Sequence, residues 1–305
     1  MTIFIPPIKC QGIKSKMVPW ILGNVRYSKN GRWIEPFMGS GVVGFNARPL
    51  KAEFSDVNPH IINFYNAVKH SEITPSTVRA FLEEEGSQLS KIGEDHYYAV
   101  RKRFNKESNP LDFLFLSRAC FNGMIRFNSK GEFNVPFCRK PDRFAKSYVT
   151  KIVNQVRNFY EIGYAKDWNF TKEDFRIALD IAGEDDFIYC DPPYFGRHTD
   201  YFNSWNENDE IDLFNKLINT KTHFILSTWY GNEYRQNPLI DKYLNEFYIL
   251  KQNHFYHVGA KETNRKPMVE ALVLNFHPIE LNIDKAETKQ LVLMEKRSKY
   301  RPHAK

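Results

Sequence analysis

The chain has 305 residues, with 43 lysines and arginines against 36 aspartates and glutamates and a formal net charge of +7. This length predicts one large or two modest domains, and the charge is compatible with a polyanionic partner. The sequence contains no apolar run of about 18 residues and no signal-peptide pattern at its start. We therefore expect a soluble cytoplasmic protein without a membrane span.

The four cysteines do not suggest a metal centre. They are scattered along the chain without C-x-x-C spacing: Cys10, Cys120, Cys138 and Cys190. Neither a zinc site nor a disulfide framework is indicated by such a distribution.

A basic segment near the amino terminus leads into an apolar stretch. Residues 9–16 contain Gly12 followed by Lys14, and residues 17–25 are mostly apolar. A glycine and a lysine at the start of a helix can hold a carboxylate through backbone amides and a cation. Taken alone, the segment fits a basic turn without a ligand at least as well.

A glycine loop follows the first predicted strand. Residues 33–37 predict a strand, and residues 38–45 predict a loop and the start of a helix. The loop has the G-x-G-x-x-G spacing of dinucleotide-binding proteins, so a nicotinamide-binding domain has to be weighed. Pro36 and the bulky Phe37, directly before the loop, argue against that domain.

A second short strand, residues 52–58, contains an acidic residue near its end. Asp56 is placed to accept hydrogen bonds from the two hydroxyls of a ribose, as in doubly wound sheets. A solvated turn aspartate is the alternative. Together with the glycine loop, Asp56 indicates a nucleoside cofactor without identifying it.

The chain changes character between residue 71 and about residue 163. A predicted helix over 59–69 gives way to charged helical stretches at 78–89 and 96–106. We interpret this middle segment as an insertion that recognises the substrate.

The insertion ends in a polar, glycine-punctuated run, residues 118–139. Several of its side chains could contact base edges in a major groove or wedge into a base stack: Phe121, Asn122, Arg126 and Asn128. The same run fits a β-hairpin that turns at residues 128–131 with its aromatic residues packed inward. Both interpretations can hold, because a β-hairpin can contact the base edges of DNA.

Strands and helices alternate again after residue 151. Residues 168–170 predict a strand, and Thr171 predicts the N-cap of the next helix, with Asp174 closing a capping-box-like pattern. Asp174 and Phe175 could instead face a purine, one by a hydrogen bond and the other by contact. The sequence alone favours capping.

The most informative stretch is residues 189–194, Y-C-D-P-P-Y, at the end of a buried strand. Pro192 and Pro193 fix φ and remove two backbone donors, which leaves carbonyl acceptors beside the carboxylate of Asp191 and the ring of Tyr194. Such a slot suits an exocyclic amino group on a flat heterocycle. If Asp191 and the Pro192 carbonyl accept both N–H hydrogens, the nitrogen can aim its lone pair at an electrophilic methyl group. A purely structural turn is the alternative.

The remaining chain completes a sheet. A helix is predicted over residues 211–218, and strands are predicted over 223–229, 247–250 and 269–276. Beyond residue 278 the sequence is polar and basic, which is typical of a mobile tail.

Four separated stretches jointly resemble the Dam-like (D12-class, α group) DNA N6-adenine methyltransferases. Residues 35–41 and 55–58 are similar to the cofactor motifs, residues 121–137 to the recognition hairpin, and residues 191–194 to the catalytic motif. The resemblance extends to about residue 276. Many relatives have tryptophan where this chain has Cys10.

The resemblance implies an α/β fold: a Rossmann-like, S-adenosylmethionine-dependent methyltransferase sheet with a final antiparallel strand. A mainly helical target-recognition domain with a β-hairpin would be inserted into it. The implied division is a discontinuous catalytic domain of residues 1–70 and 165–278, a recognition insertion of residues 71–164, and a basic tail of residues 279–305.

The resemblance also implies roles for individual residues. The residues that would hold the target base are Asp191, Pro192 and Tyr194. The residues that would bind the cofactor are Lys14, Phe37, Gly39, Gly41, Asp56, Asp174 and Phe175. The residues that would contact DNA are Phe121, Asn122, Arg126, Asn128 and Pro136. No metal is required, and Cys190 is not expected to act as a nucleophile.

The implied activity is methyl transfer from S-adenosylmethionine to N6 of an adenine flipped out of double-stranded DNA. A bacterial or phage-encoded monomer is expected, associated with the nucleoid through DNA, and a separate restriction endonuclease can accompany it. The hairpin resembles those that read GATC-related sites. The alternatives are an N4-cytosine methyltransferase, a nicotinamide oxidoreductase and a non-catalytic nucleic-acid-binding protein on the same fold.

Overall fold

The computed structural model describes residues 2–28, 30–194, 205–231, 237, 240–255 and 267–278. One seven-stranded sheet organises them. Its strands in chain order are β1 (Trp33–Glu35), β2 (Lys51–Asp56), β3 (Asp167–Lys172), β4 (Phe187–Cys190), β5 (His223–Gly231), β6 (Tyr248–Phe255) and β7 (Pro267–Leu274). The predicted basic tail, residues 279–305, lies outside the described residues.

The order of the strands across the sheet is β3-β2-β1-β4-β5-β7-β6. Neighbours from β3 to β5 pair in parallel, whereas β7 runs antiparallel to both β5 and β6. The chain therefore winds outward in two directions from β1 and β4. Ligands of open α/β sheets bind at the carboxyl ends of the strands beside such a switch point.

The described residues form ten α-helices: α1 (Val18–Gly23), α2 (Val42–Ala47), α3 (Pro59–Lys69), α4 (Pro75–Ile92), α5 (Glu94–Glu107), α6 (Pro110–Ala119), α7 (Lys146–Gly163), α8 (Phe175–Asp180), α9 (Glu207–Asn219) and α10 (Ile240–Glu246). None of the helices in this part of the chain has the length and apolar character of a membrane span.

Both faces of the sheet are buried. Successive side chains of a strand point to opposite faces, and Trp33 and Phe187 belong to one hydrophobic cluster while Ile34 and Ile188 belong to another. The first cluster continues into α2 to α7, and the second packs against α8, α9 and α10. The doubly wound α/β fold expected from the sequence is thus confirmed.

The middle of the chain, residues 71–164, contains α4 to α7. Its core is continuous with the core on one face of the sheet: Phe159 of α7 lies 4.9 Å, between ring centroids, from Phe45 of α2 and 4.9 Å from Tyr65 of α3. The division of the chain into domains stays a prediction.

Residues 120–137 turn back on themselves, but isolated bridges replace a regular β-hairpin. Cys120 bridges Phe137, and Phe127 bridges Phe133. Asn105 of α5 forms hydrogen bonds with the backbone at the second of these bridges. Its side-chain amide accepts from Phe133 N at 2.8 Å and donates to Phe133 O at 3.2 Å. The aromatic residues of the run do pack inward, as Phe127, Phe133 and Phe137 are all buried.

The start of α8 differs from the prediction. Thr171 is not an N-cap, because it lies within β3 and pairs with Ser55 of β2. The N-cap is Asp174, whose carboxylate accepts a hydrogen bond from the backbone N–H of Arg176 at 2.9 Å. Pairing in the sheet extends the strand past the position where local sequence favours a cap.

Hydrogen bonds attach the amino-terminal segment to α2 and α6. Asn46 of α2 accepts from Phe4 N at 2.9 Å and donates to Phe4 O at 2.9 Å. The buried guanidinium of Arg118 donates to the carbonyl of Pro7, with Nε at 2.9 Å, and to Gln155. A buried cation requires such partners, so the course of this segment is fixed before it reaches α1.

The third glycine of the loop motif, Gly44 in α2, packs directly on β1. A Cβ atom there would lie 2.3 Å from Oε2 of Glu35, 2.4 Å from the Phe54 ring and 2.8 Å from Nε1 of Trp33. We predict that Gly44→Ala lowers the free energy of unfolding by about 2 kcal/mol. Overpacking outweighs the advantage of about 1 kcal/mol that alanine has over glycine in a helix.

Urea denaturation measures this change. Gly163→Ala at the end of α7 is the matched control, because a Cβ there would meet only the Trp168 ring, at 3.4 Å. A Gly44→Ala variant as stable as Gly163→Ala would contradict the prediction.

Candidate active site

Three loops meet at the carboxyl edge of β1, β2 and β4. The loop after β1 carries Phe37, Gly39 and Gly41, the end of β2 carries Asp56, and the loop after β4 begins with Asp191. Because these strands are parallel neighbours, their carboxyl ends lie side by side. The cofactor and catalytic motifs of the sequence are thereby brought to one edge.

The glycine loop needs glycine for two different reasons. Gly39 (φ +47°) and Gly41 (φ +73°) both have left-handed backbone conformations, which disfavour other residues. A Cβ at Gly41 would overlap the ring of Phe45, 2.4 Å away, so this glycine is required for packing. At Gly39 no atom of the described residues lies within 4 Å of that position. The open side of Gly39 can therefore accept a close-lying ligand.

Asp56 joins two of the loops. Its Oδ2 accepts from the backbone N–H of Gly39 at 2.9 Å, and its Oδ1 accepts from that of Asn58 at 2.8 Å. Burial raises the pKa of Asp56, while these two hydrogen bonds lower it. A carboxylate has about four acceptor positions, so two remain for ribose hydroxyls. This structural role of Asp56 was not evident from the sequence.

Aromatic rings line one side of the glycine loop. Phe37 stacks on Phe175 with ring centroids 5.2 Å apart, and Trp205 contacts Phe37 edge-on at 5.5 Å. Asp174 caps α8 directly before Phe175. The predicted cofactor residues Phe37, Asp174 and Phe175 are thus neighbours. Trp205, which sequence analysis missed, completes the cluster and donates to Glu210 at 2.8 Å.

Lys14 pairs with Asp191. Its Nζ lies 2.9 Å from Asp191 Oδ1, although the lysine side chain is only 5% exposed. Burial raises the pKa of Asp191, and the charge of Lys14 and its hydrogen bond lower it. Lys14 was predicted from the sequence to bind the cofactor; its ammonium group lies on the acidic residue of the D-P-P-Y loop.

Tyr194, at the end of that loop, is held from two sides. Lys14 Nζ lies 4.9 Å from the centroid of its ring. Its hydroxyl donates to Oε2 of Glu270 at 2.5 Å. Glu270 lies in β7 and is 0% exposed. Sequence analysis missed Glu270, although a single carboxylate in the apolar run M-V-E-A-L-V-L was a signal.

A third acidic side chain, Glu35 at the end of β1, is also buried. Its Oε2 accepts from Nε1 of Trp33 at 2.7 Å. Burial, and to a smaller degree the charge of Asp191, raise the pKa of Glu35 to about 8, against a hydrogen bond from Trp33 that lowers it. Sequence analysis gave this residue no role of its own.

The predicted DNA-contacting residues all lie within residues 120–137, which we call the turned-back run. Three of them are exposed, and the other two make hydrogen bonds within the run. Phe121 is 50% exposed, and Asn122 and Pro136 are also exposed. Pro136 O accepts from Phe121 N at 2.8 Å, which keeps these residues together.

The other two residues make hydrogen bonds within the run. Arg126 Nε donates to Oδ1 of Asn134 at 2.8 Å. The Asn128 side chain accepts from the backbone N–H groups of Lys130 and Glu132, each at 3.0 Å. Their predicted contact with bases is not tested by this geometry.

The amino-terminal segment connects this run to the catalytic loop. Lys9 lies against Gly123 so closely that a Cβ there would be 2.4 Å from Lys9 Cδ. Five residues later the same segment delivers Lys14 to Asp191. Residues 9–14 therefore contact both the turned-back run and the catalytic loop.

Comparison with known proteins identifies relatives along most of the chain. The family model of D12 class N6 adenine-specific DNA methyltransferases matches residues 11–258. The type II methyltransferase M.FokI of Planomicrobium okeanokoites is 28% identical over 282 residues, covering 88% of this chain and 42% of that protein.

Two further relatives differ in length. The DNA adenine methylase of Haemophilus influenzae is 34% identical over 174 residues, 55% of this chain and 56% of that protein. The type II methyltransferase M.MjaIII of Methanocaldococcus jannaschii is 29% identical over 302 residues, 89% of this chain and 99% of that protein. The chain thus spans about half of M.FokI and of the Haemophilus methylase.

The raised pKa of Glu35 predicts a pH-dependent stability. Between its ordinary pKa of 4.5 and the folded value of about 8, the folded protein binds a proton that the unfolded chain has lost. Stability therefore falls as pH rises through this window, by up to about 1.4 kcal/mol per pH unit.

Denaturation with urea at pH 5.5 and at pH 8 tests this, with Glu35→Gln as the comparison. Glutamine keeps an acceptor for Trp33 but does not titrate, so the stability of wild type relative to Glu35→Gln should fall with rising pH. A constant difference between the two proteins would contradict the prediction.

Proposed function

The chain belongs to the D12 class of N6 adenine-specific DNA methyltransferases, and we propose that it methylates N6 of an adenine turned out of duplex DNA. Members of this family use S-adenosylmethionine. The observation that carries the proposal is the position of the D-P-P-Y loop, whose Asp191 and Tyr194 lie at the sheet edge beside the glycine loop.

The residues near the glycine loop fit S-adenosylmethionine. The open side of Gly39 leaves room for the cofactor. Asp56 keeps unused acceptor positions for the ribose. The half-buried Phe37 offers an apolar face for its adenine, while Phe175, which is 3% exposed, packs against Phe37. When bound, the cofactor supplies an electrophilic methyl group on a positively charged sulfur.

Asp191 and Tyr194 would hold the target base. The carboxylate of Asp191 and the carbonyl of Pro192 accept the two hydrogens of the adenine amino group, and the ring of Tyr194 stacks on the base. This geometry directs the nitrogen lone pair toward the methyl group. Positive charge would develop on N6 as the bond from the methyl carbon to nitrogen forms and its bond to sulfur breaks, and the negative charge of Asp191 would stabilise it. N6 would then lose one of its two protons. Alignment supplies much of the remaining rate enhancement.

Lys14 would keep Asp191 ionised. Only an ionised carboxylate accepts without donating, yet burial raises the pKa of Asp191. The ammonium group of Lys14, 2.9 Å away, opposes that rise. The same contact fixes the carboxylate in one orientation.

Recognition of DNA is assigned to residues 71–164. The exposed Phe121 would enter the space left in the base stack, and Asn122 and Pro136 would lie next to it. Arg126 and Asn128 would read base edges only after giving up some of their present hydrogen bonds. The cost of extruding the base, a few kcal/mol, is offset by stacking and by these contacts.

The wider setting follows from the family resemblance. We expect a monomer that acts in the cytoplasm, where its DNA is found, and whose methylation can protect sites against a separately acting restriction endonuclease. The net charge of +7 favours binding to DNA.

We predict that the purified protein transfers labelled methyl groups from S-adenosylmethionine to adenine in unmethylated genomic DNA. Digestion to nucleosides and chromatography should yield N6-methyladenine, and sequencing of the product should give the target site. Asp191→Ala should reduce the rate by at least about 1,000-fold while cofactor affinity changes less than about threefold. N4-methylcytosine as the sole product, or near wild-type turnover by Asp191→Ala, would contradict the proposal.

A second prediction concerns pH. Lys14→Met removes the charge that lowers the pKa of Asp191, so Asp191 will stay protonated to a higher pH. The acidic limb of the kcat profile should therefore move to higher pH.

Lys16→Met is the matched control, because Lys16 belongs to the same segment but is exposed. Steady-state rates from pH 5 to pH 9 measure both variants. A Lys14→Met profile parallel to that of wild type at every pH would show that Lys14 does not control the ionisation of Asp191.

A further inference from the structure

Glu270 is a buried carboxyl group in an otherwise apolar strand. It is 0% exposed in β7, as are Ala271, Leu272 and Val273 after it. Taking a carboxylate out of water costs several kcal/mol unless hydrogen-bond donors meet it. An apolar side chain would fill the same space without that cost. A donor that contacts Glu270 therefore indicates the role of this buried carboxyl group.

The register of the sheet brings Glu270 to the active-site edge. In β5, Leu226 pairs with Cys190 of β4, and Trp229, three residues further on, pairs with Glu270. Glu270 thus lies beyond the level at which β4 ends. The D-P-P-Y loop, which directly follows Cys190, lies at the same level of the sheet.

One donor to this carboxyl group is the hydroxyl of Tyr194, 2.5 Å from Oε2 of Glu270. Lys14 contacts the ring of the same tyrosine at 4.9 Å. The two prolines before Tyr194 have no N–H groups with which to fasten the loop. The contacts of Glu270 with the hydroxyl and of Lys14 with the ring therefore contribute to the orientation of Tyr194.

We propose that Glu270 is a positioning residue, which fixes the plane of the Tyr194 ring by accepting its hydroxyl hydrogen bond so that the target adenine stacks in a productive orientation. The inference rests on the proposed function, because the stacked base is its substrate. Offset stacking depends on the angle between the rings, and methyl transfer depends on the alignment of the acceptor nitrogen.

A double-mutant cycle tests the proposal. Glu270→Met removes the acceptor while keeping the length of the side chain, Glu270→Gln keeps a neutral acceptor, and Tyr194→Phe removes the donor. The double variant Glu270→Met/Tyr194→Phe leaves no unpaired polar group from this pair. The substrate is a duplex containing the site mapped with the wild-type enzyme, and single-turnover methylation gives the rate.

Glu270→Met is expected to lower the rate about tenfold, with the affinity for S-adenosylmethionine within about threefold of wild type. Glu270→Gln should retain the rate to within about threefold, because its amide oxygen still accepts. The double variant should be no more than about twofold slower than Tyr194→Phe, since that change alone already breaks the contact.

A fluorescence measurement separates positioning from a general loss of structure. In a duplex with 2-aminopurine at the target position, looser stacking on Tyr194 should make the complex of Glu270→Met brighter than that of wild type. Thr222→Val is the matched control. It removes another buried hydroxyl, which donates to the carbonyl of Gly183 at 2.8 Å. Thr222 lies directly before β5, at the opposite edge of the sheet, so this variant should change thermal stability without changing the rate or the fluorescence.

Three results would overturn the inference: a wild-type rate in Glu270→Met, rate losses that multiply in the double variant, or unchanged 2-aminopurine fluorescence. If Glu270→Met does not fold, the cycle is run with Glu270→Leu, and loss of folding in both variants but not in Glu270→Gln would assign Glu270 to stability alone. Failure of the proposed function is recognised separately, because wild type would then place no label on adenine.

Discussion

The ion pair between Lys14 and Asp191 is the contact on which the arrangement of the site depends. Lys14 is almost completely buried, and its Nζ lies 2.9 Å from the Asp191 carboxylate. A cation in that position has to be delivered accurately, and the fastening of the amino-terminal segment by Asn46 and Arg118 achieves this. The segment that contacts α2 and α6 therefore also places Lys14 beside Asp191, the residue that we propose holds the base.

The electrostatics of the sheet edge are consistent with its proposed cofactor. The carboxyl groups of Glu35, Asp56, Asp191 and Glu270 lie at the ends of β1, β2, β4 and in β7, and Lys14 neutralises one of them. Burial raises the pKa of Glu35, Asp56 and Asp191. A sulfonium ion entering such a region lowers the cost of ionising these groups. The protein as a whole is positively charged, so the acidic character is local.

Much of the fold could be predicted from sequence, because buried parallel strands and amphipathic helices leave strong patterns. The predicted helix 59–69 coincides with α3, and all seven strands overlap predicted ones, although β6 continues five residues past the predicted end at residue 250. Among the helices that were missed, α6 is buried on nearly all sides and has no polar face to give a helical period. The contact of Glu270 with Tyr194 and the contact of Lys14 with Asp191 could not be predicted, because each joins segments that are distant in sequence. Thr171 was wrongly assigned because local capping preference cannot reveal sheet pairing.

The shared aromatic interior has a consequence for engineering. Phe159, near the end of the middle segment, packs on Phe45 and Tyr65, which belong to α2 and α3 beside the glycine loop. A chimaera that exchanged residues 71–164 with those of a relative would cut through this cluster and leave mismatched rings on both sides. Grafting a foreign specificity onto this scaffold would be better confined to the turned-back run, whose outer side chains can change without opening the core.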